Sequence, residues 1–218
     1  MIDKNILNEI KKNFRQTMNA DLSNSMREHG LNYKINFGVP SPRIKIIAEK
    51  FEKNAELAQY LWNEDVRESK MLASYLYPEE IFTKETAIKW IEEIKYPETA
   101  DQLCMNLLSK TDYALDLSFE LINNEKDIIR YTGYRLINRL LMKNAGLSSE
   151  KLNLLLYNLS KDTLSENTWL SLSAVNLLEK CFECENYKIL ITDFFSDWQN
   201  SNNGRKAALY DMIVFWGN

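Results

Sequence analysis

Apolar residues recur every three to four positions along nearly the whole chain, the period of an amphipathic helix. At the start Ile2, Ile6, Ile10 and Phe14 fall four apart with Lys and Asn between them, which predicts a helix over 2–19. A short helix over 23–28 ends at His29-Gly30, where glycine suits a left-handed C-cap. Residues 31–40 read as loop, and Ser41-Pro42 opens the next helix with Ser41 as N-cap and Pro42 at the first helical position. Beyond it the pattern predicts helices over 43–52 and 55–62, 64–76, 84–94 and 97–109, 112–122 and 125–142, 149–160 and 165–182, and 186–198 and 204–216. Breakers or caps occupy the joints: Pro78, Pro97, Asn123-Asn124, Gly146 to Ser148, Ser165, and Ser201 to Gly204.

Pairs of helices spaced by roughly 30 to 40 residues are the rhythm of a helical-hairpin solenoid of HEAT type. The expectation is an all-α fold, a single α-solenoid domain over 1–218, in which 1–42 form N-terminal helices and a loop and 43–218 form the repeats. No motif repeats cleanly, so this rests on rhythm. In such a solenoid the second helices line the concave side. At 100° per residue, helix 125–142 turns Ile129, Thr132, Gly133, Leu136 and Leu140 to its core and Asp127, Arg130, Tyr131, Tyr134 and Asn138 the other way. The same offsets give Glu64, Arg67, Glu68, Met71 and Tyr75, then Glu98, Asp101, Gln102, Met105 and Ser109, then Trp169, Leu172, Ser173, Asn176 and Lys180. A trough lined by aromatics, arginine and one prominent aspartate follows from the pattern.

Composition narrows this further. With 45% hydrophobic and 27% charged residues, 218 residues can bury a full core, and only 6 Gly and 4 Pro argue against a many-stranded sheet. The net charge of −4 is evenly spread, with 15 Lys and Arg against 17 Asp and Glu over 1–109 and 12 against 14 over 110–218. No basic block announces nucleic acid, although a strip of a few Arg and Lys suffices for phosphate contacts. The first residues lack the features of a signal peptide, and no apolar run approaches the roughly 20 residues of a membrane span, so a cytoplasmic protein with no membrane association is expected. Of three Cys, Cys181 and Cys184 have C-x-x-C spacing, but without a second pair and with His29 as the only histidine a zinc site is short of ligands. Buried and boundary thiols are expected, with no metal or cofactor.

The trough residues admit plainer readings. An acid at Asp101, in the first turns of a helix opened by Pro97, is also favourable helix electrostatics. Arg67 and Arg130 can pair with Glu64 and Asp127 on their own helices. Tyr75, Tyr131, Tyr134 and Trp169 need a partner other than their own helices' cores, either a ligand or a neighbouring repeat, whereas Trp62, Trp90, Trp198 and Trp216 follow apolar periods and read as core.

Taken in order, Gly38 to Arg43, Leu61-Trp62, Val66 to Ala73, Glu98 to Asp101 and Ile129-Arg130 resemble the HEAT-like DNA alkylation-repair family, the bacterial alkylpurine DNA glycosylases. The resemblance spans most of 30–180. It implies a right-handed α-superhelix with a positively charged concave groove for duplex DNA, and excision of cationic alkylated purines such as 3-methyladenine or 7-methylguanine without metal or cofactor. It places the catalytic carboxylate on Asp101 and a phosphate-binding arginine on Arg130. With the trough pattern it makes Arg67, Arg130, Tyr134, Trp169 and Lys180 the expected DNA contacts. Active members carry tryptophan just before the acid, where this chain has Tyr96-Pro97, and a second tryptophan near Asn176. The alternative is a non-enzymatic scaffold whose trough binds a protein segment or unmodified nucleic acid.

Overall fold

The computed structural model describes residues 3–217. Within them thirteen α-helices follow one another: α1 Lys4–Gln16, α2 Ala20–Glu28, α3 Ser41–Ala48, α4 Ala55–Asn63, α5 Arg67–Leu76, α6 Lys84–Glu92, α7 Pro97–Asn106, α8 Ala114–Leu121, α9 Asp127–Met142, α10 Ser149–Asp162, α11 Thr168–Phe182, α12 Glu185–Phe194 and α13 Gly204–Gly217. Side chains end several of them where the composition places a cap. Asp3, Asn19, Asn54, Thr83 and Ser148 each accept an N–H from the first turn that follows, which satisfies a donor the helix itself leaves open. Every predicted helix is present. Ile2, on the stripe of the first, lies outside the described residues. That helix stops at Gln16 because Asn19 already caps α2 through the Leu22 N–H, at 2.9 Å. At α3 the cap is Pro40 and not Ser41: the extended Pro40 carbonyl takes the N–H groups of Arg43 and Ile44, at 2.8 and 3.2 Å, and so starts the helix one residue earlier.

The chain divides into two compact units, Met1–Thr111 and Asp112–Asn218. In the first, α5 packs on α3, α4 and α7. Being flanked on several sides, it is buried almost all round, and Arg67, Glu68 and Met71, expected on an open trough, lie inside at 1%, 0% and 1% exposure. The expectation that Arg67 contacts DNA is corrected by this burial. Its guanidinium donates through Nε and Nη2 to Glu98, at 2.8 and 2.5 Å, and through Nη1 to Glu68 and the Val39 carbonyl, both at 2.9 Å. Glu68 in turn accepts the N–H groups of Phe37 and Val39, each at 3.1 Å. Burial alone would lower the arginine pKa, but Glu98 and Glu68 outweigh it and hold it above its ordinary value. Between the two amides bound by Glu68 sits Gly38 at φ +67°, where a Cβ would lie 2.1 Å from the Asn19 carbonyl oxygen, so only glycine fits.

Polar links join positions a fixed distance apart in this unit. Phe37 to Glu68, Arg67 to Glu98, Trp62 to Glu93 and Trp90 to Gln59 each span 31 residues, and Asn106 to Ser74 spans 32. Trp62 and Trp90, both core as expected, stack face to face with centroids 4.2 Å apart. In the second unit α9 packs on α8 and α11, and α11 also meets α10, α12 and α13. Here the separations lengthen: Arg130 to Asp162 spans 32, Lys151 to Asp116 35, and Tyr187 to Leu147 40 residues. Trp198 and Trp216, expected as core, are only half-buried.

Removing one member of a buried, fully hydrogen-bonded ion cluster leaves the rest uncompensated. Arg67→Ala should therefore lower the unfolding free energy by about 3–5 kcal/mol, read as a shift in the urea midpoint at unchanged m-value. A change within the scatter of surface substitutions would show that the cluster does not carry the first unit.

Candidate nucleic-acid interface

In the first unit the candidate acid is placed by Pro97, which occupies the first turn of α7 after the extended Tyr96. Asp101 follows one turn beyond Glu98 and is half-buried, as is Met105 one turn further on. The residues between them point inward: Gln102 accepts an Asn106 side-chain N–H at 3.1 Å, and Ala100, Leu103 and Cys104 are core. Glu98, one turn before Asp101, is committed to Arg67. Tyr96, where the family resemblance leads one to expect a tryptophan, has its ring 4.7 Å from that of Tyr33, and its hydroxyl accepts the Asn32 N–H at 3.1 Å. Tyr33 is buried and hydrogen-bonds Thr99 on α7. The aromatic pair thus ties the loop before α3 to the start of the helix that carries Asp101.

The second unit gathers different chemistry. Arg130, in the first turn of α9, uses Nε and Nη2 on Asp162 at 2.8 and 3.2 Å, Nη2 on Asp127 at 2.7 Å, and Nη1 on the carbonyls of Asn124 and Glu125 at 3.1 and 2.8 Å. Those bonds engage all five of its N–H donors. A phosphate would reach it only by exchanging for one of these acceptors. Tyr134, expected to line the groove, is instead fully buried and donates its hydroxyl to Asp162 at 2.7 Å, because α9 is covered by its neighbours on that face. Asp162 was not expected from sequence. Its signal was legible all the same, since an acid as the last residue of a helix opposes the helix dipole and requires a cation of its own.

Trp169 stays half-exposed, its ring edge-on to the buried Tyr131 at 5.4 Å. Lys180, also half-exposed, pairs with Glu183, which raises its pKa. Among the sequence-predicted residues, the structure joins Arg130 to Tyr134 through Asp162, and leaves Trp169 and Lys180 about three turns apart on α11. Asn176 is exposed. No group of His, Cys, Asp and Glu among the described residues is arranged to hold a metal ion, and no helix among them is long and apolar enough to cross a membrane. Cys181 is buried at the end of α11, which pushes its thiol up to about 12, while Cys184 is exposed.

Two measurements check this arrangement. Burial pushes the phenols of Tyr33 and Tyr134 well above the ordinary value of 10.0. Above about pH 10 the unfolded chain therefore binds fewer protons than the folded one, and stability is lost as pH rises. Unfolding free energies from urea titrations should fall by up to about 1.4 kcal/mol per pH unit for each phenol, and Tyr134→Phe should flatten that slope. Independently, a thiol reagent near neutral pH should label Cys184 rapidly and Cys104 and Cys181 only on unfolding; rapid modification of two or more thiols would contradict the burial described.

Comparison with known proteins places these observations. A solved structure described as a new family of proteins related to the HEAT-like repeat DNA glycosylases with affinity for branched DNA structures matches with a TM-score of 0.77 at 16% identity, over 100% of this chain and 95% of that one. At that identity the likeness shows the fold, an all-α array of HEAT-like repeats. No curated protein sequence matches the chain significantly. The family model described as DNA alkylation repair enzyme matches residues 10–178, which contain the Arg67 cluster, Asp101, Arg130 and Trp169. By that match the chain belongs to the DNA alkylation repair enzyme family.

Proposed function

We propose that this protein binds DNA and excises cationic alkylated purines, with Asp101 as the catalytic carboxylate. The observation that carries the reading is where Asp101 stands: it is half-buried one turn beyond Glu98 on α7, a helix whose start is fixed by the Arg67–Glu98 pair and the Tyr33–Thr99 bond, inside the span matched by the DNA alkylation repair family. An alkylated purine is already positively charged and leaves as a neutral base once its bond to C1′ lengthens. The positive charge then passes to the deoxyribose, and a fixed carboxylate stabilises it most where it develops. Water adds its oxygen to C1′ and releases a proton. The same charge logic governs glycoside hydrolysis.

Trp169 and Lys180 are the proposed contacts to DNA from α11. Arg130 serves as a positioning residue, holding the Asn124–Asp127 segment against Asp162. A second reading, binding of branched or unpaired DNA without excision, is favoured by one observation: Tyr96 has its ring against Tyr33 and its hydroxyl on the Asn32 N–H.

The test is base release from methylated duplex DNA by wild type and Asp101→Asn. Release by wild type that falls by about 100-fold or more in the variant supports excision. Equal release by both removes Asp101 from the mechanism. No release by either, together with tighter binding to a four-way junction than to duplex, selects the second reading. DNA affinity should fall with salt at a log–log slope of about −0.9 per phosphate contacted, and a salt-independent interaction would sink both.

A further inference from the structure

A cavity of about 340 Å³ opens between α11 and α13 in the second unit. Arg205, at the start of α13, donates to the Leu164 carbonyl at 3.2 Å, so this end of the cavity lies beside Thr163 and Thr168. One to two turns along both helices the lining becomes apolar, with Leu172, Leu209 and Met212.

Three independent features of the polar end ask for an anionic partner. Thr163 is 8% exposed, and its buried Oγ1 has no hydrogen-bond partner among the described residues. Its carbonyl is already taken by the Ser171 hydroxyl at 2.8 Å, so the threonine is held in place while its own hydroxyl is unused. Second, no side chain caps α11: Asn167, at the cap position, is drawn away to Asp127 at 2.8 Å. The first-turn N–H groups are therefore left to outside acceptors, with the positive end of the helix dipole behind them. Third, Arg205 brings a cation whose only carboxylate partner among the described residues is the highly exposed Glu166, at 2.9 and 3.4 Å, a pair that solvent weakens and an incoming anion can exchange.

The geometry points to a binding site for a phosphate with its attached sugar, the repeating unit of a nucleic-acid backbone. The phosphate lies at the uncapped start of α11 against Arg205 and the Thr163 hydroxyl, and the apolar face of the sugar lies on Leu172, Leu209 and Met212. Such a site deepens the proposed DNA binding and rests on it for the source of the phosphate. Its chemistry is independent of Asp101. Glu166 is then a competitor that the phosphate displaces.

The experiment titrates inorganic phosphate against chloride at constant ionic strength and follows the backbone amide resonances of Thr168, Trp169 and Leu170. Wild type should shift saturably. Thr163→Val and Arg205→Gln should each bind about tenfold more weakly, the loss expected for one hydrogen bond to a charged group, and Glu166→Gln severalfold more tightly. Thr163→Val removes an unpartnered buried hydroxyl, so its thermal midpoint should equal or exceed that of wild type, which separates lost binding from lost folding. The same variants should weaken binding of unmodified duplex, with Arg205→Gln reducing the salt slope by about one. Phosphate shifts that are absent, or unchanged across the variants, overturn the site. Phosphate binding that depends on Thr163 and Arg205 in variants whose DNA affinity is intact overturns the assignment to a nucleic-acid backbone. If wild type has no DNA affinity at all while the phosphate response keeps this dependence, the proposed function fails and the anion site stands.

Discussion

A guanidinium with no access to water organises the first unit. Arg67 opens α5, and its donors reach forward to Glu98 on α7, sideways to Glu68, and back to the carbonyl of Val39. Three segments distant in sequence are thereby fixed to one planar group whose geometry admits little variation. Glu68 completes the arrangement by holding the loop around Gly38, whose conformation no other residue would accept. Desolvating these charges is costly, and their mutual bonds offset that cost only with all partners present. The cluster therefore specifies which helix follows which more than it adds net stability, and it fixes the segment from which Asp101 projects.

The second unit reaches a related solution with other parts. Arg130 opens α9, and its forward partner Asp162 lies 32 residues on, close to the 31-residue step from Arg67 to Glu98. Tyr134 adds a hydroxyl that keeps Asp162 satisfied in a buried site. In each unit an arginine at the start of a second helix is bonded to an acid one repeat later, so neighbouring repeats are joined by directional bonds as well as by apolar packing. Apolar faces alone would tolerate sliding by a turn. A five-donor group matched to its acceptors does not.

The helices themselves were legible in the sequence, because apolar period and capping residues are local properties that the fold retains. What periodicity could not supply is how many neighbours each helix face meets. Periodicity leaves the stripe opposite a helix's own core open, and on α5 and α9 another element covers it. Arg67 and Tyr134 are inside for that reason, and the plainer readings hold for the Arg130 pairing with Asp127 and for Tyr131 and Tyr134, which are buried. Arg67 found its acids at Glu68 and Glu98 instead of Glu64, a choice that depends on the loop crossing above it. Asp101 stood out only through the ordered set of family residues around it, since nothing in its own helix distinguishes a functional acid from a helpful one.

The last helix, like α2 and α12, is held by few buried residues. Of its 14 residues only Leu209 and Ile213 are buried, and Met212, Val214 and Phe215 face outward. Its grip on the unit is correspondingly slight, and local opening should begin there, far below the free energy of global unfolding. A ligand held between α11 and α13 would act as a clasp, its binding free energy adding to what keeps α13 folded. A loosely held terminal helix of this kind reports occupancy, as exchange of its amides slows when the cleft fills and recovers when it empties.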